Sequence, residues 1–180
     1  MNFIEKIKEK ASKDVKTIVL PEATDVRVLK AAEMISKEKF AKVVLIGNSE
    51  EVNKLLEENN INLGDTKIIN PEKSEKKENY ANTLYELRKT KGMTEEQAKE
   101  LILNPVYFGM MMVKLEEADG LVSGAAHSTA DTLRPALQII KTKPGTKLVS
   151  AFVAIDVPNC EFGENGLFYL RSRFLSIVRG

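Results

Sequence analysis

The stretch DGLVSGAAHSTADTLRPALQIIKT, residues 119–142, holds the densest run of polar side chains at any predicted strand-to-helix turn of this sequence. A short apolar strand, residues 120–122, is followed by small residues at 123–126. Small residues let a backbone come close to a ligand. Hydroxyls, backbone N–H groups at a helix start and an arginine are groups that bind a phosphate or an acyl phosphate. The stretch therefore predicts an anion-binding turn.

Short apolar segments alternate with helical patterns along the rest of the chain. Strands are predicted at residues 17–20, 41–46, 67–70, 120–122 and 147–157. Helices are predicted at residues 2–13, 24–37, 50–59, 74–89, 94–103, 104–117 and 135–141. Strands that are apolar on both faces are typical of a parallel sheet that helices cover on each side. The expected fold is α/β, with three layers (α/β/α) around a mainly parallel sheet.

We expect residues 1–145 to form this α/β domain and residues 146–180 to begin a second α/β domain, because Pro144 and Gly145 interrupt the chain before a new strand. Right-handed crossovers put all strand-to-helix turns at one edge of a parallel sheet. The turns at residues 22–25, 47–48 and 123–129 should therefore share that edge.

Arg134 immediately precedes Pro135, and proline fits best in the first turn of a helix. The helix is therefore expected to start at Pro135 or to be kinked there, which would put Arg134 at its N-terminal end, where anions are favoured. The alternative is a surface arginine paired with Asp131, and spacing alone leaves the two interpretations even. Ser128 and Asp131 fit a helix-capping pattern. Pro135 instead favours a short irregular turn, in which the Ser128 and Thr129 hydroxyls would bind phosphate oxygens.

His127 is the only histidine of the chain, and a lone histidine is more often structural than catalytic. Its polar surroundings predict a supporting contact to a ligand rather than the role of a base. Cys160 is the only cysteine, which excludes an intrachain disulfide and leaves no zinc-binding set of cysteines and histidines. Glu22 and Asp25 follow the first strand and are predicted either to face a helix N-terminus or to shape the cleft edge.

Charge and composition exclude several classes of function. The 27 lysines and arginines balance 26 acidic residues, so no basic excess is available for binding nucleic acid. No apolar run approaches the roughly 20 residues of a membrane span. The N-terminus mixes both charge signs, unlike a signal peptide, and we expect a cytoplasmic protein. Neither a Walker nor a Rossmann glycine motif is present.

Four motifs, in the right order, resemble those of the phosphate acetyltransferases. They are SGAAHSTADTLRPALQIIKTKPG at residues 123–145, LPE with Asp25 and Arg27, YELRKTKGMT at 85–94, and NPVYF at 104–108. The resemblance runs from about residue 1 to Leu167. It implies the reaction acetyl phosphate + CoA ⇌ acetyl-CoA + phosphate, by direct attack of the CoA thiolate. It implies these small molecules as partners, no permanently bound cofactor, and a possible homo-oligomer.

The resemblance also implies roles for individual residues. Arg134 would be a catalytic and substrate-binding residue, and Arg88 would lie at the CoA end of the site. Substrate contacts would come from the polar turn at His127, Ser128, Thr129 and Thr132. The resemblance implies that Cys160 lies close to the active site without being its nucleophile.

Chains of the resembled family are nearly twice as long as these 180 residues. The resemblance implies that the catalytic base, an aspartate, and its serine and arginine partners belong to the other half. We therefore expect little turnover from this chain alone. Two alternatives stay open. One is transfer of butyryl or another acyl group, and the other is a non-catalytic domain that binds an anion or CoA.

Overall fold

The computed structural model describes residues 3–146, 149–163 and 166–174. The chain divides into two compact units. One unit comprises residues 11–140, and the other comprises residues 1–10 with residues 141–180.

The larger unit contains a four-stranded sheet in which all neighbouring strands are parallel. Its strands are β1 (Lys16–Leu20), β2 (Ala41–Ile46), β3 (Lys67–Ile69) and β4 (Gly120–Leu121), in the order β3-β2-β1-β4. In the register of the sheet, Val19 lies opposite Val44 on one side and Leu121 on the other. Because β1 and β4 are neighbours, the loops that follow them emerge side by side.

Helices of the larger unit cover both faces of this sheet, as the α/β prediction requires. They are α2 (Val26–Glu38), α3 (Ser49–Asn59), α4 (Lys77–Arg88), α5 (Glu95–Leu101), α6 (Pro105–Lys114) and α7 (Thr129–Ile139), with a 3-10 turn at Lys89–Lys91. Most of α1 (Phe3–Lys13) belongs to the smaller unit. Val44 and Ile46 of β2 join a core with α4 to α7, whereas Val43 and Leu45 join a second core with α2 and α3. This alternation along one strand gives the three layers.

Several helix starts follow their sequence patterns. Thr94 and Gln97 form the predicted capping box of α5, with Gln97 N–H donating to the Thr94 hydroxyl at 3.2 Å. Asn104 caps α6 and Pro105 occupies the first turn of that helix, as expected.

The start of α7 corrects the sequence-based expectation. The helix begins at Thr129 rather than at Pro135, because the Ser128 hydroxyl accepts a hydrogen bond from the backbone N–H of Asp131 at 3.2 Å. Pro135 lies inside the helix and its ring is buried. The missing backbone N–H at an interior proline costs roughly 3 kcal/mol, which the cap and the burial of the ring offset. Arg134 is therefore in the middle of α7 and not at its N-terminus.

The smaller unit contains a two-stranded antiparallel sheet. Its strands are β5 (Val149–Asp156) and β6 (Leu167–Phe174), with Val153 opposite Leu170 and Ile155 opposite Phe168. The strand predicted at residues 147–157 is thus shorter than expected, and its first two residues lie outside the described part of the chain.

Candidate functional site

The carboxyl edge of the sheet brings two loops together, one after β1 and one after β4. The loop after β1 carries Glu22, Asp25 and Arg27, and the loop after β4 carries residues 123–128. This edge is where parallel sheets of this kind bind their ligands. The expectation that the two turns share an edge is confirmed by the hydrogen bonds between them.

Glu22 is the centre of this contact. One of its carboxylate oxygens accepts the backbone N–H groups of Gly124 and Ala125, both at 3.0 Å. The other accepts those of Ala126 at 2.7 Å and His127 at 2.8 Å, together with the His127 ring Nδ1 at 2.9 Å. Only 3% of the Glu22 side chain is exposed. Glu22 and the four N–H groups of residues 124–127 are called the Glu22 clasp below.

Burial alone would raise the pKa of Glu22, because water no longer solvates the charge. The hydrogen bonds from Ala126, Ala125 and His127 outweigh this effect and lower the pKa to about 2. The carboxylate is therefore ionised at neutral pH. Its negative charge is shared among five donors, which explains how it can be buried without a direct ion pair to a lysine or arginine among the described residues.

The clasp limits where an anion can bind on this turn. The backbone N–H groups of residues 124–127 already bind the Glu22 carboxylate. An added anion would have to displace this internal one. Groups elsewhere on the turn are thus better placed to bind a substrate phosphate.

Arg27 makes a second link between the two loops. Its Nη2 donates to the carbonyl oxygen of Ala125 at 2.7 Å and to Asp25 at 2.6 Å, while its Nε donates to Asp25 at 3.0 Å. Hydrogen bonds from the Arg27 side chain and backbone lower the pKa of Asp25 to about 2. Arg27 therefore holds the loop in place and is already committed to protein partners.

Arg88 and Arg134, called the arginine pair below, both act on Tyr107. Arg88 ends α4, Arg134 lies in α7, and Tyr107 lies between them in sequence on α6. The Tyr107 hydroxyl donates to Gln138 at 2.9 Å. Burial raises the pKa of Tyr107, whereas the charges of Arg134 and Arg88 both lower it. Both guanidinium groups are thus within electrostatic reach of one phenol.

The arginine pair is not neutralised by close carboxylates. In the part of the chain that the structure describes, neither guanidinium makes an ion pair. The Nε of Arg88 is buried and has no hydrogen-bond partner among the described residues. Arg134 is exposed, and its charge contributes to lowering the pKa of Asp131. Two guanidinium groups without ion-pair partners, both near Tyr107, favour the binding of an anion.

Two of the hydroxyl groups predicted to contact a substrate, those of Ser128 and Thr132, already make hydrogen bonds within the protein. Ser128 donates its hydroxyl proton to Asp131 at 2.6 Å, and this bond is the main cause of the lowered pKa of Asp131. The Thr132 hydroxyl lies 3.4 Å from the Ser123 hydroxyl and 3.4 Å from the Ser128 carbonyl oxygen. Thr129 is exposed at the first position of the helix.

Cys160 lies in the smaller unit, between β5 and β6. Its thiol is free and half-buried, and its Sγ is 3.9 Å from the carbonyl oxygen of Phe162. Among the described residues there is no cluster of three or more metal-ligating side chains. No described helix is long and apolar enough to cross a membrane.

Sequence comparison finds a family model described as "Phosphate acetyl/butaryl transferase", which matches residues 2–170. A phosphate acetyltransferase from Acetivibrio thermocellus is 62% identical over 168 residues, which are 93% of this chain and 50% of that protein. A phosphate acetyltransferase from Thermoanaerobacterium thermosaccharolyticum is 55% identical, over 93% of this chain and 51% of that protein. The chain therefore spans about half the length of these relatives.

Solved structures agree with the sequence matches. A phosphotransacetylase from Streptococcus pyogenes superposes with a TM-score of 0.79 at 41% identity, over 87% of this chain and 47% of that one. A phosphotransacetylase from Staphylococcus aureus gives a TM-score of 0.77 at 43% identity, over 86% of this chain and 46% of that one. The α/β fold seen here is thus the fold of one half of those proteins.

Proposed function

Because the chain belongs to the phosphate acetyl/butyryl transferase family, we propose that it provides the phosphate-binding half of an acetyl-transferring active site. In the proposed reaction the CoA thiolate attacks the carbonyl carbon of acetyl phosphate. A bond forms between the carbonyl carbon and the sulfur of CoA. The bond between that carbon and the oxygen that bridges to phosphorus breaks, and phosphate leaves. CoA is a substrate of this reaction, and no permanently bound cofactor is needed.

The arginine pair is the observation that carries the proposal. A phosphate leaving group and a carbonyl oxygen that becomes negative both require fixed positive charge. Arg134 is exposed and suits a bidentate contact to phosphate oxygens, while Arg88 suits the phosphates of CoA. Both lack ion-pair partners in the described part of the chain. We assign both as catalytic residues.

The polar turn before and within α7 would add substrate contacts. His127, Thr129 and Thr132 lie on the same turn as Arg134, which supports a binding role for them. Ser128 would have to exchange its bond to Asp131 for one to phosphate. We also propose that Cys160 belongs to a second domain that begins near residue 146. It would not be the nucleophile, because among the described residues no base contacts its thiol.

A hybrid enzyme tests this function. The matching 168-residue segment of the Acetivibrio thermocellus relative would be replaced by this chain, which shares 62% of its residues. We expect CoA acetylation by the hybrid and a loss of about 10²–10³-fold in kcat for Arg134→Ala. Arg134→Lys should also lower kcat, because the ammonium group of lysine cannot make the two parallel hydrogen bonds that a planar guanidinium makes to phosphate. Lys30→Ala, on the exposed surface of α2, is the control. An active Arg134→Ala hybrid would exclude the proposed role.

Two alternatives have specific support. The family description includes butyryl transfer, so competition between acetyl phosphate and butyryl phosphate in the hybrid would define the acyl group. The coverage of about half of each relative also supports a binding role without turnover for the 180-residue polypeptide by itself. Assays of that polypeptide for anion binding and for thiol consumption separate a binder from an enzyme.

We further propose that the protein acts in the cytoplasm, because its single free cysteine fits a reducing compartment. A homo-oligomer is also proposed, on the exposed apolar side chains of β5 and β6.

A further inference from the structure

Glu22 and His127 form a carboxylate–imidazole pair whose geometry fixes where the ring carries its proton. The ring Nδ1 lies 2.9 Å from a Glu22 oxygen. An ionised carboxylate can only accept hydrogen bonds, so Nδ1 must carry the hydrogen. The neutral ring then has Nε2 as a hydrogen-bond acceptor. The four backbone N–H groups of the Glu22 clasp hold the carboxylate, and through it the ring, in one orientation.

The Nε2 atom is available for a ligand at the candidate site. Among the described residues it has no hydrogen-bond partner, and 28% of the His127 side chain is exposed. His127 immediately precedes Ser128, the cap of α7, and Arg134 lies in the same helix. The Ser128 hydroxyl donates to Asp131 at 2.6 Å, and the charge of Arg134 also acts on that carboxylate.

We propose that Glu22 is a positioning residue that presents His127 Nε2 as an acceptor for the P–OH group of hydrogen phosphate. This inference rests on the proposed function, in which inorganic phosphate is a substrate of the acetyl phosphate-forming direction. Hydrogen phosphate carries one proton near neutral pH, whereas sulfate carries none. An acceptor next to the start of the helix that carries Arg134 therefore favours phosphate over sulfate, two anions of the same shape and similar size. Arginine alone does not make that distinction.

The first test observes the ring itself and does not depend on activity. Because His127 is the only histidine, ¹⁵N-labelled histidine in the 180-residue protein gives one pair of ring nitrogen signals. At mildly alkaline pH, where imidazole is neutral, we expect the Nδ1–H tautomer. Glu22→Gln should produce a mixture of tautomers. Glu33→Gln, which alters another carboxylate that accepts a backbone N–H, should change nothing. An Nε2–H tautomer in the unmodified protein would overturn the inference.

The second test measures the binding of inorganic phosphate and sulfate by calorimetry on the same protein. We expect phosphate to bind at least about tenfold more tightly, the value of one hydrogen bond to a charged group. His127→Asn keeps a donor for Glu22 but removes the Nε2 acceptor. Phosphate and sulfate should therefore bind to this variant with nearly equal affinity. Glu33→Gln should keep the preference, and circular dichroism would verify that each variant is folded.

The outcomes of the two tests distinguish the role of His127 Nε2 from the proposed function on which it rests. The expected tautomer with equal binding of both anions would refute the role of Nε2 and leave the arginine pair as the anion site. Failure of the unmodified protein to bind either anion would refute both. Unchanged phosphate preference in a folded His127→Asn variant would also overturn the inference.

Discussion

At the scale of single residues, Glu22 takes the place that a bound anion would be expected to occupy. Its carboxylate accepts four consecutive backbone N–H groups in a turn after a parallel strand. Such concave sets of N–H groups commonly bind phosphates. Here the protein supplies its own anion. The clasp thus ties the turn that precedes the helix of Arg134 to the loop after β1.

The clasp predicts a defined dependence of stability on pH. The pKa of Glu22 falls from its ordinary 4.5 to about 2 in the folded protein. A lowered carboxyl pKa contributes stability that is fully present above the unfolded value and is lost as pH falls through the folded value. The contribution of Glu22 should therefore disappear between pH 4.5 and about pH 2. Urea unfolding of the unmodified protein and Glu22→Gln across this range would measure it.

At neutral pH we expect Glu22→Gln to lower the free energy of unfolding by about 2 kcal/mol or more. Buried N–H groups would lose a charged acceptor, and the new amide NH₂ would face other donors. The difference between the two proteins should shrink as pH falls towards 2. Glu33→Gln is the control, because Glu33 accepts a single backbone N–H rather than four, and its ion-pair partner Lys37 is exposed to screening by solvent. Equal stability of the Glu22→Gln variant at pH 7 would contradict this account.

At the scale of elements, the sequence predicted the alternation of strands and helices because that information is local. Apolar runs, Pro105 and the Thr94 capping box each act within one turn of the chain. The Glu22 clasp could not be predicted in this way, since its partners are more than 100 residues distant and meet only because β1 pairs with β4. At α7 two local signals conflicted, and the Ser128 cap outweighed the preference of Pro135 for a first turn.

The packing of α6 on the sheet gives a prediction at this scale. Gly109 lies within α6, and a Cβ there would be 2.7 Å from Leu121 Cδ1 and 2.9 Å from Val19 Cγ1. Alanine is a better helix former than glycine by about 1 kcal/mol. We nevertheless expect Gly109→Ala to destabilise the protein by roughly 1–3 kcal/mol, because the added methyl overpacks the core between α6 and the strands. Thermal or urea unfolding measures the change.

A double variant distinguishes overpacking from other causes. If the added methyl group clashes with Leu121, then Gly109→Ala should cost less in a Leu121→Ala background, where that side chain is removed. Equal costs in both backgrounds would show that the leucine is not the obstacle. The close packing of α6 on the sheet also bears on the candidate site, because α6 carries Tyr107, whose pKa burial raises and the charges of Arg134 and Arg88 lower.

At the scale of the whole molecule, the proposed function assigns to the described residues only part of what acyl transfer requires. In that proposal they provide positive charge for phosphate, while about half the length of each relative lies outside the matched region. A positioned general base contributes about 10²–10⁴-fold to a reaction of this kind. We therefore expect the 180-residue polypeptide to consume CoA and acetyl phosphate far more slowly than the hybrid enzyme described above. Equal rates in a thiol assay would disprove this expectation.

The hairpin of β5 and β6 exposes apolar side chains that a stable structure would normally cover. Phe152 is 70% exposed, Leu170 59% and Tyr169 58%. An isolated two-stranded sheet is marginally stable in water, and its open edges can pair with another chain. We expect the 180-residue polypeptide to self-associate, and a version that ends at Gly145 to sediment as a monomer. Sedimentation velocity over a range of concentrations measures this difference.

A charge on the hairpin should weaken that association. Leu170→Lys puts an ammonium group on β6, where pairing with a second chain would bury it at high cost. The matched control is Phe162→Lys, because Phe162 is 78% exposed and lies in the turn between the strands rather than in either strand. Association that falls in Leu170→Lys and persists in Phe162→Lys would place the contact on the strands. Monomers at every concentration, in the full polypeptide and in the shorter version alike, would show that the hairpin needs no partner.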